Sequence, residues 1–256
     1  MPNSTGRFVW HELSTTDPEG AQRFYTEIIP WGTQPWEDDP NHTLWTNQGT
    51  PIGSVTLLKS ELSSGSAHPA WLPYVDVYDV DDCTRQVKQL GGTIVKGPIE
   101  TPNVGCWAVV NDLQGAAIGL FEPVTPSATN GGASPRGEFS WHELTTTDYK
   151  AAFDFYRALF KWDKTGEFDM GEMGMYHMYG KGGQVYGGMM NRRPDMPPPS
   201  WMSYVRIDDV KGAADKVKTG GGTVIIPPME VPGGDWITMC IDPQGAPFAL
   251  HTPKAS

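Results

Sequence analysis

Cysteine is scarce in this sequence and poorly spaced for chemistry. Cys83, Cys106 and Cys240 are an odd number with no CxxC pair. Neither a disulfide framework nor a cysteine zinc site is expected, and free thiols suit a reducing, cytoplasmic compartment. No apolar run is long enough to span a bilayer. The opening "MPNSTGRFVW" has no basic region followed by an apolar one, so no secretory leader is expected. Positive charge is also in short supply: 19 Lys and Arg against 30 Asp and Glu leave a net charge of −11. Nucleic acid and anionic membranes would repel such a surface, and neither is expected as a partner. A neutral or cationic small molecule is compatible with it.

What the sequence does have is repetition. "FVWHELSTTD" begins at Phe8 and "FSWHELTTTD" at Phe139. The stretch from Gly6 to Trp31 aligns without gaps on Gly137 to Trp162, with 13 of 26 positions identical. Trp10/Trp141, His11/His142, Glu12/Glu143, Asp17/Asp148, Tyr25/Tyr156 and Trp31/Trp162 are among them. Further on, "WLPYVDVYDV" from Trp71 matches "WMSYVRIDDV" from Trp201, "LGGTIV" matches "GGGTVI", and "NDLQGA" matches "IDPQGA". The chain is therefore read as a duplicated domain: a first domain over 1–122, a linker over 123–137 rich in Pro, Gly, Ser and Thr, and a second domain over 138–256.

Each half contains two smaller units, at about 7–58 and 71–122, then about 138–190 and 201–252. Strand alternation in "FVWHELS" precedes Asp17, a helix N-cap, and Pro18 in a first helical turn. Apolar residues then recur at helical spacing through Ala21, Phe24, Tyr25 and Ile28. Three further strands follow, and the second unit repeats the plan. The expected class is α+β, with four βαβββ units.

The Asp-capped helix carrying Phe-Tyr and followed by Trp, together with Trp71-x-x-Tyr74, Asp79-Val80, Gly91-Gly92 and Asp112-x-Gln114-Gly115-Ala116, resembles the vicinal oxygen chelate superfamily of glyoxalases, bleomycin-resistance proteins and extradiol dioxygenases. The resemblance covers nearly the whole chain. It implies two tandem glyoxalase-like domains, with curved mixed sheets around clefts and helices outside. Metal-using members of that family take His, Gln or Glu ligands from the first and last strands of each unit.

In such members the first-strand ligand stands seven residues before the Asp that opens the helix. Here those places hold Trp10 and Trp141, with His11 and His142 one residue late and so on the other sheet face. The remaining ligand places hold Leu72, Met202, Gly119 and Ala249, with Gly53–Val55 and Gly187–Met189 on the strands that close the first units. No cofactor is expected on this register; a strand slip would admit a divalent metal.

His11 and His142 are then expected as buried structural groups. Glu12 and Glu143 are the catalytic candidates, and three roles stay open for them: a general base, an attractor for a cation, or a structural hydrogen-bond acceptor. Trp10, Leu72, Tyr74 and Asp76 should line the first cleft with Glu12. Trp141, Met202, Tyr204 and Arg206 should line the second with Glu143. Aromatic walls with few polar groups are typical of small-molecule pockets. The expected function is the binding of a small aromatic or cationic molecule, by a monomer or homodimer. The alternative is a glyoxalase-like lyase or hydroxylase acting through glutamate or a non-standard metal site.

Overall fold

The computed structural model describes residues 5–37, 42–58, 68–125 and 134–254. The middle of the expected linker, residues 126–133, lies outside the described residues. The order in the first half is β1 (Phe8–Thr15), α1 (Pro18–Ile28), β2 (Trp31–Pro35), β3 (His42–Asn47), β4 (Thr50–Leu57), β5 (Ala70–Asp76), α2 (Val80–Gln89), β6 (Thr93–Thr101), β7 (Gly105–Asn111) and β8 (Ala117–Pro123). The second half repeats it as β9 (Phe139–Thr146), α3 (Tyr149–Phe160), β10 (Asp163–Asp169), β11 (Met175–Lys181), β12 (Gln184–Asn191), β13 (Ser200–Arg206), α4 (Val210–Thr219), β14 (Thr223–Glu230), β15 (Trp236–Ile241) and β16 (Pro247–Thr252). Each half supplies one mixed eight-stranded sheet, in the orders β2-β3-β4-β1-β5-β8-β7-β6 and β10-β11-β12-β9-β13-β16-β15-β14. Four βαβββ units are thus present.

The local signals act as expected. Each helix opens on an Asp whose side chain accepts a backbone N–H from the first turn: Asp17, Asp79, Asp148 and Asp209. Such caps contribute about 1 kcal/mol each. After α2 and α4, Gly91 and Gly221 take positive φ and end the helix. The next glycines serve a different purpose. A Cβ on Gly92 would fall 3.1 Å from Phe155, and one on Gly222 would fall 3.0 Å from Phe24. The repeated Gly-Gly therefore stops one helix and lets an aromatic ring from another βαβββ unit close against the chain.

The described residues divide into two compact units, and each draws one βαβββ unit from each half of the sequence. The first comprises residues 5–9, 72–125 and 141–201. Its core joins Val80, Cys83 and Val87 of α2 to Phe153, Phe155, Tyr156 and Phe160 of α3, over Ile118, Leu120, Leu144 and Met189. The second comprises residues 10–37, 42–58, 68–71, 134–140 and 202–254. Its core joins Phe24, Tyr25 and Ile28 of α1 to Val210, Ala213 and Val217 of α4, over Leu13, Val55, Val205 and Leu250.

The most strongly repeated residues hold these cores. In the first unit the Trp201 indole N–H donates to the Tyr156 hydroxyl (3.1 Å), which donates to Asp112 Oδ2 (3.0 Å). In the second, Trp71 donates to Tyr25 (2.9 Å), which donates to Asp242 Oδ2 (3.1 Å). Burial raises both tyrosines well above the usual phenol range, and the facing aspartate adds to this. Trp162 Nε1 bonds Gly6 O and Trp31 Nε1 bonds Gly137 O, both at 2.6 Å.

Candidate functional site

Strand β9 alternates cleanly. His142 and Leu144 are buried toward α3, while Trp141, Glu143 and Thr145 are half-buried on the other face. The parallel register puts Gly188 of β12 beside Glu143, and Met190 beside Thr145. The antiparallel register then brings Tyr176 of β11 opposite Met190, and Met178 opposite Gly188. Gly188 has a physical reason to be glycine: a Cβ there would lie 2.1 Å from the Tyr176 ring. The ring leans over that gap and stacks on Phe168 at 5.3 Å.

This placement creates a relay. The Trp141 indole N–H donates to the Tyr176 hydroxyl (2.8 Å), which donates to Glu143 Oε2 (2.8 Å). Trp141 and Glu143 were expected on one face from the sequence; Tyr176, which joins them, was not singled out. Its role follows from the β11–β12–β9 register, which the sequence does not print. The resulting face sets Trp141, Phe168, Tyr176, Met178 and Met190 around one carboxylate.

The corresponding face of the second unit differs. Trp10 Nε1 donates to Ser54 Oγ at 3.2 Å, and Ser54 stands beside Glu12 in the register. The places of Gly188, Tyr176 and Met190 are held by Ser54, His42 and Thr56. Glu12 is half-buried, on a face where Ser54 and Thr56 bring hydroxyls beside Leu44 and the His42 ring, in the places where the Glu143 face has Gly188, Met190, Met178 and Tyr176.

The other expected cleft residues are distributed as follows. Leu72 and Tyr74 are buried in the first unit. Tyr74 covers Gly119, whose Cβ would meet its ring at 2.1 Å, and meets Trp107 edge-on at 6.5 Å. Asp76 is buried and accepts the Arg7 N–H at 2.7 Å; burial pushes its carboxyl up to about 6. In the second unit Met202 is half-buried and Tyr204 buried. Arg206 donates from its guanidinium to Ser134 O.

His11 and His142 are both buried. His142 stacks on Phe8 at 3.6 Å in the first unit, and His11 on Phe139 at 3.5 Å in the second. Burial lowers His142 to about 3, so its ring is neutral at ordinary pH.

The residues at the family's ligand places do not fit a metal. Trp10, Trp141, Leu72, Met202, Gly119 and Ala249 offer no imidazole or carboxylate. At Gly119 the Tyr74 ring occupies the space a ligating side chain would need. Among the described residues no group of three or more His, Cys, Asp or Glu side chains converges to hold an ion. Among the described residues no helix is long and apolar enough to cross a membrane.

Residues 139–250 match the family model of the Glyoxalase/Bleomycin resistance protein/Dioxygenase superfamily. Over 118 residues the chain is 34% identical to CFP32 of Mycobacterium tuberculosis, whose name offers it as a candidate glyoxylase. That match covers 45% of this chain and 45% of CFP32, so the chain spans about half the length of the curated relative it matches. The anthracycline biosynthesis protein DauV of Streptomyces sp. (strain C5) is 24% identical over 262 residues, covering 96% of this chain and 92% of DauV. Among solved structures, the 2,3-dioxygenase LapB of Pseudomonas sp. KL28 superposes with a TM-score of 0.69 at 13% identity, covering 98% of this chain and 94% of LapB. The Mn(II)-bound glyoxalase of Novosphingobium aromaticivorans gives 0.62 at 15% identity, covering 98% and 83%. Both share the fold with this chain.

Proposed function

We propose that this chain, whose residues 139–250 match the glyoxalase/bleomycin resistance protein/dioxygenase superfamily model, captures a planar aromatic molecule bearing a cationic group, on the β9–β11–β12 face around Glu143. The observation that carries this reading is the Trp141–Tyr176–Glu143 relay. It fixes an indole, a phenol and a carboxylate in one geometry, with Tyr176 and Met190 buried beneath a half-exposed surface of Trp141, Glu143, Thr145, Phe168 and Met178. Indole and phenol faces attract flat rings and cations, and thioethers adapt to their outlines. The Tyr176 hydrogen bond fixes the position of the Glu143 carboxylate on this face. The overall charge of −11 favours a cationic ligand in the same direction. The similarity to DauV suggests anthracyclines, flat ring systems with an amino sugar, as one ligand class to try.

The test is calorimetric titration of the full chain with 9-aminoacridine, daunorubicin and, at alkaline pH, neutral acridine. The cationic probes should bind. Glu143→Gln should weaken them by about tenfold, equivalent to about 1.4 kcal/mol, while leaving acridine unchanged. Equal binding of neutral and cationic probes, indifferent to Glu143→Gln and to Trp141→Ala, would overturn the proposal.

A further inference from the structure

The second compact unit holds a serine, a histidine and an aspartate in series, at places the duplication does not explain. Ser140 Oγ lies 2.9 Å from His251 Nδ1. His251 Nε2 lies 3.0 Å from Asp235 Oδ2. Asp235 is fixed in turn by the Lys254 N–H on its other oxygen at 2.9 Å. In the first half the aligned positions hold Val9, Phe121 and Gly105, so the fold itself does not require this arrangement.

The protonation pattern can be deduced. The hydrogen bonds from Lys254 and His251 hold the Asp235 carboxyl below its usual range against the opposing effect of burial, so it is ionised and only accepts. In the tautomer that donates from Nε2 to this carboxylate, the Nδ1 lone pair faces the Ser140 hydroxyl. Ser140 is thereby the donor, as a hydroxyl must be if it is to lose its proton to the ring. The Tyr204 carbonyl, 3.3 Å away, is a second acceptor for the same hydrogen. Ser140 is half-buried, and the His251 side chain is 15% exposed. The Asp235 side chain is 42% exposed, so the relay reaches solvent at its carboxylate end. Arg206 stands beside His251 in the β13–β16 ladder, and its buried Nε–H has no acceptor among the described residues.

We infer that Ser140 is a nucleophile, activated by His251 and Asp235, that takes an acyl group from small activated esters. The step balances without a co-reactant other than water. Ser140 Oγ adds to the ester carbonyl carbon as its proton passes to His251 Nδ1. The carbonyl oxygen becomes an oxyanion as the tetrahedral adduct forms. Collapse breaks the ester C–O bond, and the alcohol leaves with the proton from His251. Water, deprotonated by the same nitrogen, then releases the carboxylic acid and restores Ser140.

The probes are a fluorophosphonate and p-nitrophenyl acetate, applied to the intact chain. One covalent adduct per chain is expected, mapping by peptide mass spectrometry to Ser140. Ser140→Ala should abolish it. His251→Gln should slow labelling and nitrophenol release by about a hundredfold, and Asp235→Asn by at least about tenfold. Circular dichroism melts of each variant separate loss of the nucleophile from loss of the fold. If Ser140→Ala fails to fold, adduct mapping on the parent chain and the His251→Gln rate still decide the matter. A folded parent chain with no adduct at Ser140, or a labelling rate indifferent to His251→Gln, would overturn the inference. These probes do not involve Glu143, so this result and that of the acridine titration are independent.

Discussion

Asp76 offers a quantitative test of the distinction between a buried structural carboxylate and a ligand-facing one. It is 4% exposed, accepts the Arg7 N–H and lies near the Lys181 ammonium. Desolvation outweighs the Arg7 and Gly6 N–H bonds and the Lys181 and Arg7 charges, and lifts its carboxyl from 3.8 to about 6. The sign of the linkage follows. Below about pH 4 the carboxyl is protonated in folded and unfolded chains alike, and it carries no penalty. As pH rises toward 6, the unfolded chain ionises and the folded chain does not, so stability falls. Above 6 the folded chain carries the buried charge and the cost is complete, at about 3 kcal/mol for that displacement. Asp76→Asn keeps an oxygen for the Arg7 N–H and removes the charge. The variant should match the parent at about pH 3.5 and exceed it by roughly 1–3 kcal/mol at about pH 7.5. Urea unfolding followed by tryptophan fluorescence at four pH values between these limits reads the difference directly. A variant less stable than the parent at neutral pH would refute the reasoning, because Asp76 would then be a net-favourable partner of Lys181. A pH-independent difference would refute it equally.

Two further predictions concern the core and the metal question. Tyr156→Phe leaves Trp201 Nε1 without its acceptor and takes one donor from Asp112; it should cost about 2 kcal/mol in urea unfolding, and Tyr25→Phe should cost a similar amount through Trp71 and Asp242. Untagged protein soaked in zinc, nickel, manganese and iron(II) should retain far less than one ion per chain by mass spectrometry. Near-stoichiometric metal would mean that ligands assemble somewhere other than the Trp10, Leu72, Trp141 and Met202 places.

The fold was legible because the chain states it twice, with Asp caps, Gly-Gly stops and D-x-Q-G turns at matching offsets. The face of each first strand was legible too: His11 and His142 are buried toward the cores, and Glu12 and Glu143 point the other way, as the one-residue offset from Trp10 and Trp141 implies. What could not be read was which βαβββ unit packs on which. Trp71 and Tyr25 belong to the first half and Asp242 to the second, and only the folded chain brings Tyr25 and Asp242 to 3.1 Å. Tyr176 was missed for a related reason. Its approach to Glu143 depends on two successive strand pairings and on a glycine gap at Gly188, none of which has a local sequence signature. Ser140, His251 and Asp235 are widely separated in sequence, and no spacing rule connects them.

The duplication also separates structural from functional constraint without an alignment. Residues identical in both halves, such as Tyr25/Tyr156, Trp71/Trp201 and Asp112/Asp242, occupy equivalent environments, accounted for by hydrogen bonds inside a core. A constraint imposed by the fold must act on both copies. A constraint imposed by a ligand or a reaction can act on one. The informative positions are therefore the mismatches: Ser54 against Gly188, His42 against Tyr176, Thr56 against Met190, and Val9, Phe121 and Gly105 against Ser140, His251 and Asp235. They turn one copy of an open face aromatic and thioether-rich, and they place a proton relay on the other compact unit. Exchanging Gly188 and Tyr176 for the serine and histidine of the first half would carry the aromatic face toward its first-half counterpart without disturbing either core. Loss of 9-aminoacridine binding in a fully folded G188S/Y176H chain would assign the ligand to those two mismatched residues; retained binding would assign it to the residues left in place.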